Sequence, residues 1–96
     1  MIRAATFEAF EAQARAQGFD EVLVREWQPG QVMHSHTHPF AIDALVVRGE
    51  FRLVCGGTER LVRAGEGFEL AREVPHEEHY GPEGATFWVA RRNALP

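Results

Sequence analysis

His34-Ser35-His36-Thr37-His38 sets three imidazoles at alternate positions, followed by Pro39-Phe40. In an extended strand, residues i, i+2 and i+4 project from one face, so this spacing gathers three side chains on one surface. Neutral imidazole is the commonest protein ligand for zinc, iron, copper and nickel. Taken alone, three alternating histidines fit a solvated polar strand as well as a metal site. What separates the two readings lies downstream, in Pro75-His76-Glu77-Glu78-His79-Tyr80.

Around these two stretches the chain reads as one small domain of short strands. Its 96 residues suit a single core, and the 45% apolar and 25% charged fractions are ordinary for a globular protein. The net charge of -4, with scattered arginines as the only basic side chains besides histidine, argues against a nucleic-acid footprint. The apolar runs fall far short of the roughly 20 residues that span a bilayer, and the N-terminus lacks the order of a secretory signal. Cys55 is the only cysteine and has no partner within the chain, which points to a reducing compartment, the cytoplasm. Its place before Gly56-Gly57 favours packing over reactivity.

Residues 6–17 predict a helix, with Thr6 as its cap, Glu8 and Glu11 near the positive end of its dipole, and Gly18 as the stop. Phe7, Phe10 and Ala14 form a narrow apolar stripe along it. Beyond it the pattern becomes β. Strands are expected over 21–27, 31–38, 42–48, 51–55, 58–63, 68–70, 75–80 and 86–91. Turn signals sit at Pro29-Gly30, Gly49, Gly56-Gly57, Ala64-Gly65-Glu66-Gly67 and Gly81-Pro82-Glu83-Gly84. Many short strands with frequent turns mean an all-β sandwich or barrel. The expected organisation is a helical segment, 1–18, packed on a β-barrel domain, 19–96.

The spacing of the two His-bearing stretches resembles the cupin superfamily. Its first motif, G-x5-H-x-H-x3-4-E-x6-G, is matched by Gly30, His36, His38, position 42 and Gly49. Its second, G-x5-P-x-G-x2-H-x3-N, is matched in spacing by Gly65, Ala71, Glu73, His76 and Tyr80. The resemblance covers about residues 21–92 and implies a small jelly-roll barrel. Carried over residue by residue, it makes His36, His38 and His76 ligands of a divalent transition metal.

The departures bear on function. The carboxylate position of the first motif is Ile42, and Asp43 beside it has the opposite strand parity. Ala71, Glu73 and Tyr80 replace the Pro, Gly and Asn of the second. Glu78, two residues after His76, shares its face and is a candidate to complete the coordination. His34 shares the face of His36 and His38 nearer the barrel edge, as a rim group or further ligand. Glu77 and His79 have the outward parity. Tyr80 is expected to present its hydroxyl at the pocket mouth, above a wall of Phe40, Phe51, Leu53, Phe68, Leu70 and Phe87.

Three imidazoles converging in a barrel leave their acceptor nitrogens in need of a proton, water or metal, and one cation satisfies all three. Imidazole-dominated ligation admits Fe, Ni, Cu or Zn, and a carboxylate adds Mn. The resemblance implies two classes of function. One is a metal-dependent enzyme, dioxygenase-like or isomerase-like, in which Tyr80 or Glu78 orients the substrate or moves a proton. The other is a non-catalytic sensor module that binds a small molecule or metal. A metal-free barrel is the plainest alternative. The apolar strand Val22-Leu23-Val24 adds the expectation of a homodimer.

Overall fold

The computed structural model describes residues 2–93. One helix, α1 (Phe7–Ala16), precedes six strands: β1 (Glu21–Trp27), β2 (Val32–His36), β3 (Ala41–Cys55), β4 (Thr58–Arg63), β5 (Gly67–Leu70) and β6 (His76–Arg92). The Thr6 side chain caps α1 by accepting the Ala9 N–H at 3.1 Å. No helix among the described residues is long and apolar enough to cross a membrane.

The frame is an antiparallel ribbon of β3 and β6, paired from Ala41↔Arg92 to Cys55↔His76. Each half of the ribbon recruits different neighbours. Where Ala41 to Gly49 pairs with the end of β6, β1 adds to β6 and β5 adds to β3. Where Phe51 to Cys55 pairs with the start of β6, β2 adds to β6 and β4 adds to β3. Two four-stranded layers result, joined through the two long strands, and their inner faces share one core. Phe51 and Tyr80 of one layer meet Phe68, Phe87 and Val89 of the other there. This is the all-β jelly roll expected from the sequence.

Two expectations about strand ends are corrected. Residues 81–84 do not turn the chain, and β6 runs through them; likewise 42–48 and 51–55 belong to one β3. The cause is a bend shared by both strands. Inward side chains change parity there, from Ala44 and Val46 to Phe51 and Leu53 on β3, and from His76, Glu78 and Tyr80 to Ala85, Phe87 and Val89 on β6. Register shifts at Val46/Arg48 and Gly49/Phe51 absorb the change. Pro82, which has no N–H to donate, falls between the two paired stretches. At the bend the backbones nearly touch: a Cβ on Gly49 would lie 2.0 Å from the Gly84 carbonyl oxygen, and one on Gly84 would lie 2.2 Å from that of Trp27.

The helix lies on the outer face of the layer that contains β1. Phe10 and Ala14 are buried there with Ile2, Phe19, Leu45 and Ala90, and Phe7 and Phe10 each pack their rings 6.0 Å from Trp88. The outward positions of β3 and β6 therefore carry a second apolar cluster, while the inward positions build the barrel interior.

The bend makes a sharp prediction. Gly49→Ala or Gly84→Ala combines a positive φ with a backbone clash and should cost more than about 3 kcal/mol. Gly30→Ala, also at positive φ but with nothing within 4 Å of its Cβ, should cost about 1 kcal/mol. Urea unfolding of the three variants checks this, and equal costs would contradict it.

Candidate metal and ligand site

The site lies where β2 crosses the start of β6. His36, the last residue of β2, sits directly opposite His76 on β6. His38 follows in the connection to β3, where its carbonyl accepts the Glu73 N–H at 2.8 Å. Glu73 occupies the glycine position of the second motif and adopts the left-handed φ of 61° that a glycine would. The ligand atoms of His36, His38 and His76 all lie within 4.8 Å of one another. His76 is buried and the other two are half-buried.

His34 is not with them. A register shift between Met33 and His36 breaks the alternation, so Met33 and His36 point inward while His34 and Ser35 both face solvent. Its backbone still serves the site, because the His36 Nδ1–H donates to the His34 carbonyl at 2.7 Å. The His76 Nδ1–H likewise donates to the Val74 carbonyl at 3.1 Å. A carbonyl only accepts, so each contact places the proton on Nδ1 and leaves the Nε2 lone pair for the cluster.

Those lone pairs face a carboxylate. Glu78 Oε2 lies 3.5 Å from His36 Nε2 and 3.3 Å from His76 Nε2, and the buried His76 Nε2 has no aligned hydrogen-bond partner. An acceptor nitrogen against an acceptor oxygen is unfavourable unless a proton or metal cation stands between them. In the metal-free protein the proton takes that place. Burial presses the His76 pKa down, but hydrogen bonding to Glu78 and Val74 and the Glu78 charge outweigh it, so the net shift is upward. Burial presses the Glu78 pKa up, but hydrogen bonds from His76 and Tyr80 and the nearby imidazoles hold it below the ordinary carboxylate value.

His38 is shifted the other way. Desolvation, then repulsion from His36 and His76, lowers its pKa, which keeps it neutral and able to coordinate. Its ring stacks on Phe40 at 4.8 Å, and the Arg91 guanidinium lies 4.6 Å over the same Phe40 ring.

Tyr80 is deeper than a mouth residue. It is 5% exposed, stacked between Trp27 at 5.0 Å and Phe51 at 5.3 Å. Its hydroxyl donates to Glu78 Oε1, and burial beside that carboxylate raises its pKa far beyond reach of ordinary pH. Tyr80 therefore positions Glu78. Glu77 and His79 pair with each other on the outward parity. Asp43 is 2% exposed and lies opposite Glu69, on the parity of the outer face. Ile42 takes the inward place where the first motif carries a carboxylate, and it lines the cavity.

That cavity, about 130 Å³, opens beside the three histidines. Phe68, Leu70 and Phe87 line it as expected, whereas Phe51 and Leu53 lie in the core beneath and Phe40 backs His38. Trp27, Met33, Ile42 and Val89 complete the apolar wall, with Arg25 and Arg91 among its polar groups. The sequence reading missed both arginines. The available signal was Arg25 between Leu23 and Trp27 at inward alternation on β1.

The model of a family described as the AraC-like ligand binding domain matches residues 18–94. Among solved structures, the chain is similar to a conserved protein with a double-stranded beta-helix domain from Klebsiella pneumoniae. That pair has 27% identity and TM-score 0.64, over 75% of this chain and 65% of that one. An RmlC-like cupin from Shewanella frigidimarina matches at 25% identity and TM-score 0.64, over 77% and 68%. The polyketide cyclase RemF from Streptomyces resistomycificus matches at 25% identity and TM-score 0.64, over 85% and 61%. The chain thus spans 61–68% of the length of these three. No curated protein matches it.

Because the Glu78 pKa is depressed on folding, its ionised form adds stability above the ordinary value of 4.5. That stability is lost as pH falls through the lower folded value. Metal-free protein followed by urea unfolding from neutral to acid pH should show this loss, and Glu78→Gln should flatten it. An unchanged pH profile in the variant would contradict the assignment.

Proposed function

This chain belongs to the AraC-like ligand binding domain family, of the cupin superfamily, and we propose that it binds a small molecule beside a divalent transition metal held by His36, His38 and His76. The observation that carries this reading is the meeting of two Nε2 lone pairs with the Glu78 carboxylate, 3.3 and 3.5 Å away. A proton or a metal ion reconciles these groups, and the third imidazole, His38, within 4.8 Å of the other two ligand atoms, supports the metal. The donor set of three imidazoles with one carboxylate alongside suits Fe, Mn, Ni, Zn or Cu.

The residues divide the work. The carbonyls of His34 and Val74 orient His36 and His76 and turn the Nε2 of each toward the cluster. Glu78, held by Tyr80, stands beside the trio and offsets part of the cation's charge. A bound metal ion supplies an electrophilic point with open positions for a ligand atom. The apolar wall of Ile42, Phe68, Leu70, Phe87 and Val89 excludes water from the ligand's body.

A second reading is turnover, dioxygenase-like or isomerase-like. One observation favours it: Glu78 is a buried carboxylate on the cavity wall, within reach of a bound molecule. In that reading Tyr80 positions Glu78, and proton uptake by Glu78 needs its contacts with the imidazoles to be released.

Elemental analysis of protein purified without a His tag should find near-stoichiometric transition metal, lost from a His36→Ala, His38→Ala double variant. Metal affinity should also fall as pH drops through the raised His76 pKa, because the proton and the metal compete for the same nitrogen. Absence of metal after reconstitution would overturn the proposal.

We further propose that the chain forms a homodimer. Strand β1 ends the sheet path, and its Val24 is 47% exposed on that edge strand. Light scattering at tens of micromolar should give twice the chain mass, and a monodisperse monomer would refute this.

A further inference from the structure

The cavity beside the histidines is apolar along most of its wall, yet two guanidinium groups, Arg25 and Arg91, line it. Their settings differ. Arg91 is 3.4 Å from Glu21 and lies over Phe40. Arg25 has no carboxylate or hydrogen-bond partner among the described residues; its guanidinium lies 4.6 Å over the Trp27 ring. A cation held on an aromatic face keeps its planar fork of N–H donors free for an acceptor. Trp27 lines the cavity as well, and its indole N–H is buried without a partner, as is the Arg91 Nε–H.

Charge points the same way. Glu78 is the one carboxylate on this cavity wall, and it is already engaged by Tyr80, His36 and His76. Arg25 therefore remains a free positive charge beside low-dielectric walls, which focus its field on whatever enters. Size narrows the choice further. A cavity of about 130 Å³ compares with an engineered one of about 150 Å³ that admits benzene, so the part of an occupant buried in it has about six non-hydrogen atoms. An apolar wall of this size leaves room for a short hydrocarbon body and one planar anionic group.

We propose that the ligands of this site are small monocarboxylates, bound with the carboxylate on Arg25 beside Trp27 and the hydrocarbon part against Phe68, Phe87 and Val89. The proposal rests on the ligand-binding reading above but not on the metal. Arg25 selects the acid over its neutral analogues by charge-assisted, two-pronged hydrogen bonds, and Lys would reproduce the charge without the fork.

The test is calorimetric titration of the full chain, freed of metal by chelation, with butyrate and with butyramide. Butyrate should bind at least about tenfold more tightly than the amide, as expected for one charge-assisted contact. Arg25→Gln should remove that preference while leaving butyramide affinity within about twofold, and Arg25→Lys should keep part of it. Thermal unfolding of each variant confirms that the barrel is intact. Arg25→Gln should still take up metal by elemental analysis, so a failed metal site and a failed carboxylate site give different results. Equal binding of acid and amide, no butyrate binding, or an undiminished preference in Arg25→Gln would overturn the proposal. Inorganic phosphate binding as tightly as butyrate would overturn the restriction to carboxylates.

Discussion

Everything in this barrel depends on how closely β3 and β6 approach at their shared bend. Gly49 and Gly84 meet there with no room for a side chain on either. An antiparallel ribbon as long as these two strands would, if regular, keep one parity facing inward throughout and one flat sheet. The bend instead lets the ribbon fold across itself and changes which residues face in. Without that change His76, Glu78 and Tyr80 could not share an interior with Phe87, Val89 and Arg91, because they sit at even and odd positions of one strand. The site is assembled from both halves of β6, so the glycines that serve backbone approach also determine which side chains meet.

The local chemistry follows from burial. Glu78 is 7% exposed and must have its charge compensated. Tyr80 satisfies one oxygen, and two imidazoles approach the other. The backbone carbonyls of His34 and Val74 hold the ring protons on the far side. These contacts turn the Nε2 atoms of both rings toward Glu78. For His38, desolvation and repulsion from His36 and His76 outweigh the pull of Glu78 and lower its pKa, and its ring stacks on Phe40. Two different physical devices thus hold the histidines ready, one by hydrogen-bonded orientation and one by an apolar setting.

Much of this was legible because periodicity is a local property. The α1 stripe of Phe10 and Ala14, the strand Glu21–Trp27 and the hairpin around Gly56-Gly57 follow from spacing and turn chemistry that need no tertiary information. The meeting of His36, His38 and His76 was readable because two motifs fix their separations along the chain. Parity carried over a bulge was not. His-Ser at 34–35 has no glycine to announce the break that turns His34 to solvent. Residues 81–84 look like a turn by composition, and only pairing to β3 on both sides keeps them in one strand. Tyr80 was placed at the mouth because parity gives the face but not the depth, which is decided by the stacking of Trp27 and Phe51 around it.

The replacement of the first-motif carboxylate by Ile42 has a consequence beyond coordination. A carboxylate at that position would stand on the β3 wall of the cavity, facing Arg91, its partner across the β3–β6 ladder. With Ile42 there, the wall is apolar, and the site's negative charge resides on β6 at Glu78, where two histidines and a tyrosine already use it. The cavity thereby gains hydrocarbon surface and loses an internal counter-charge in a single substitution. Both changes favour a ligand that brings its own negative charge and its own apolar body. The departure from the motif is in this sense coherent with the two arginines on the wall: the negative charge that Ile42 does not supply is one that an acidic ligand would bring.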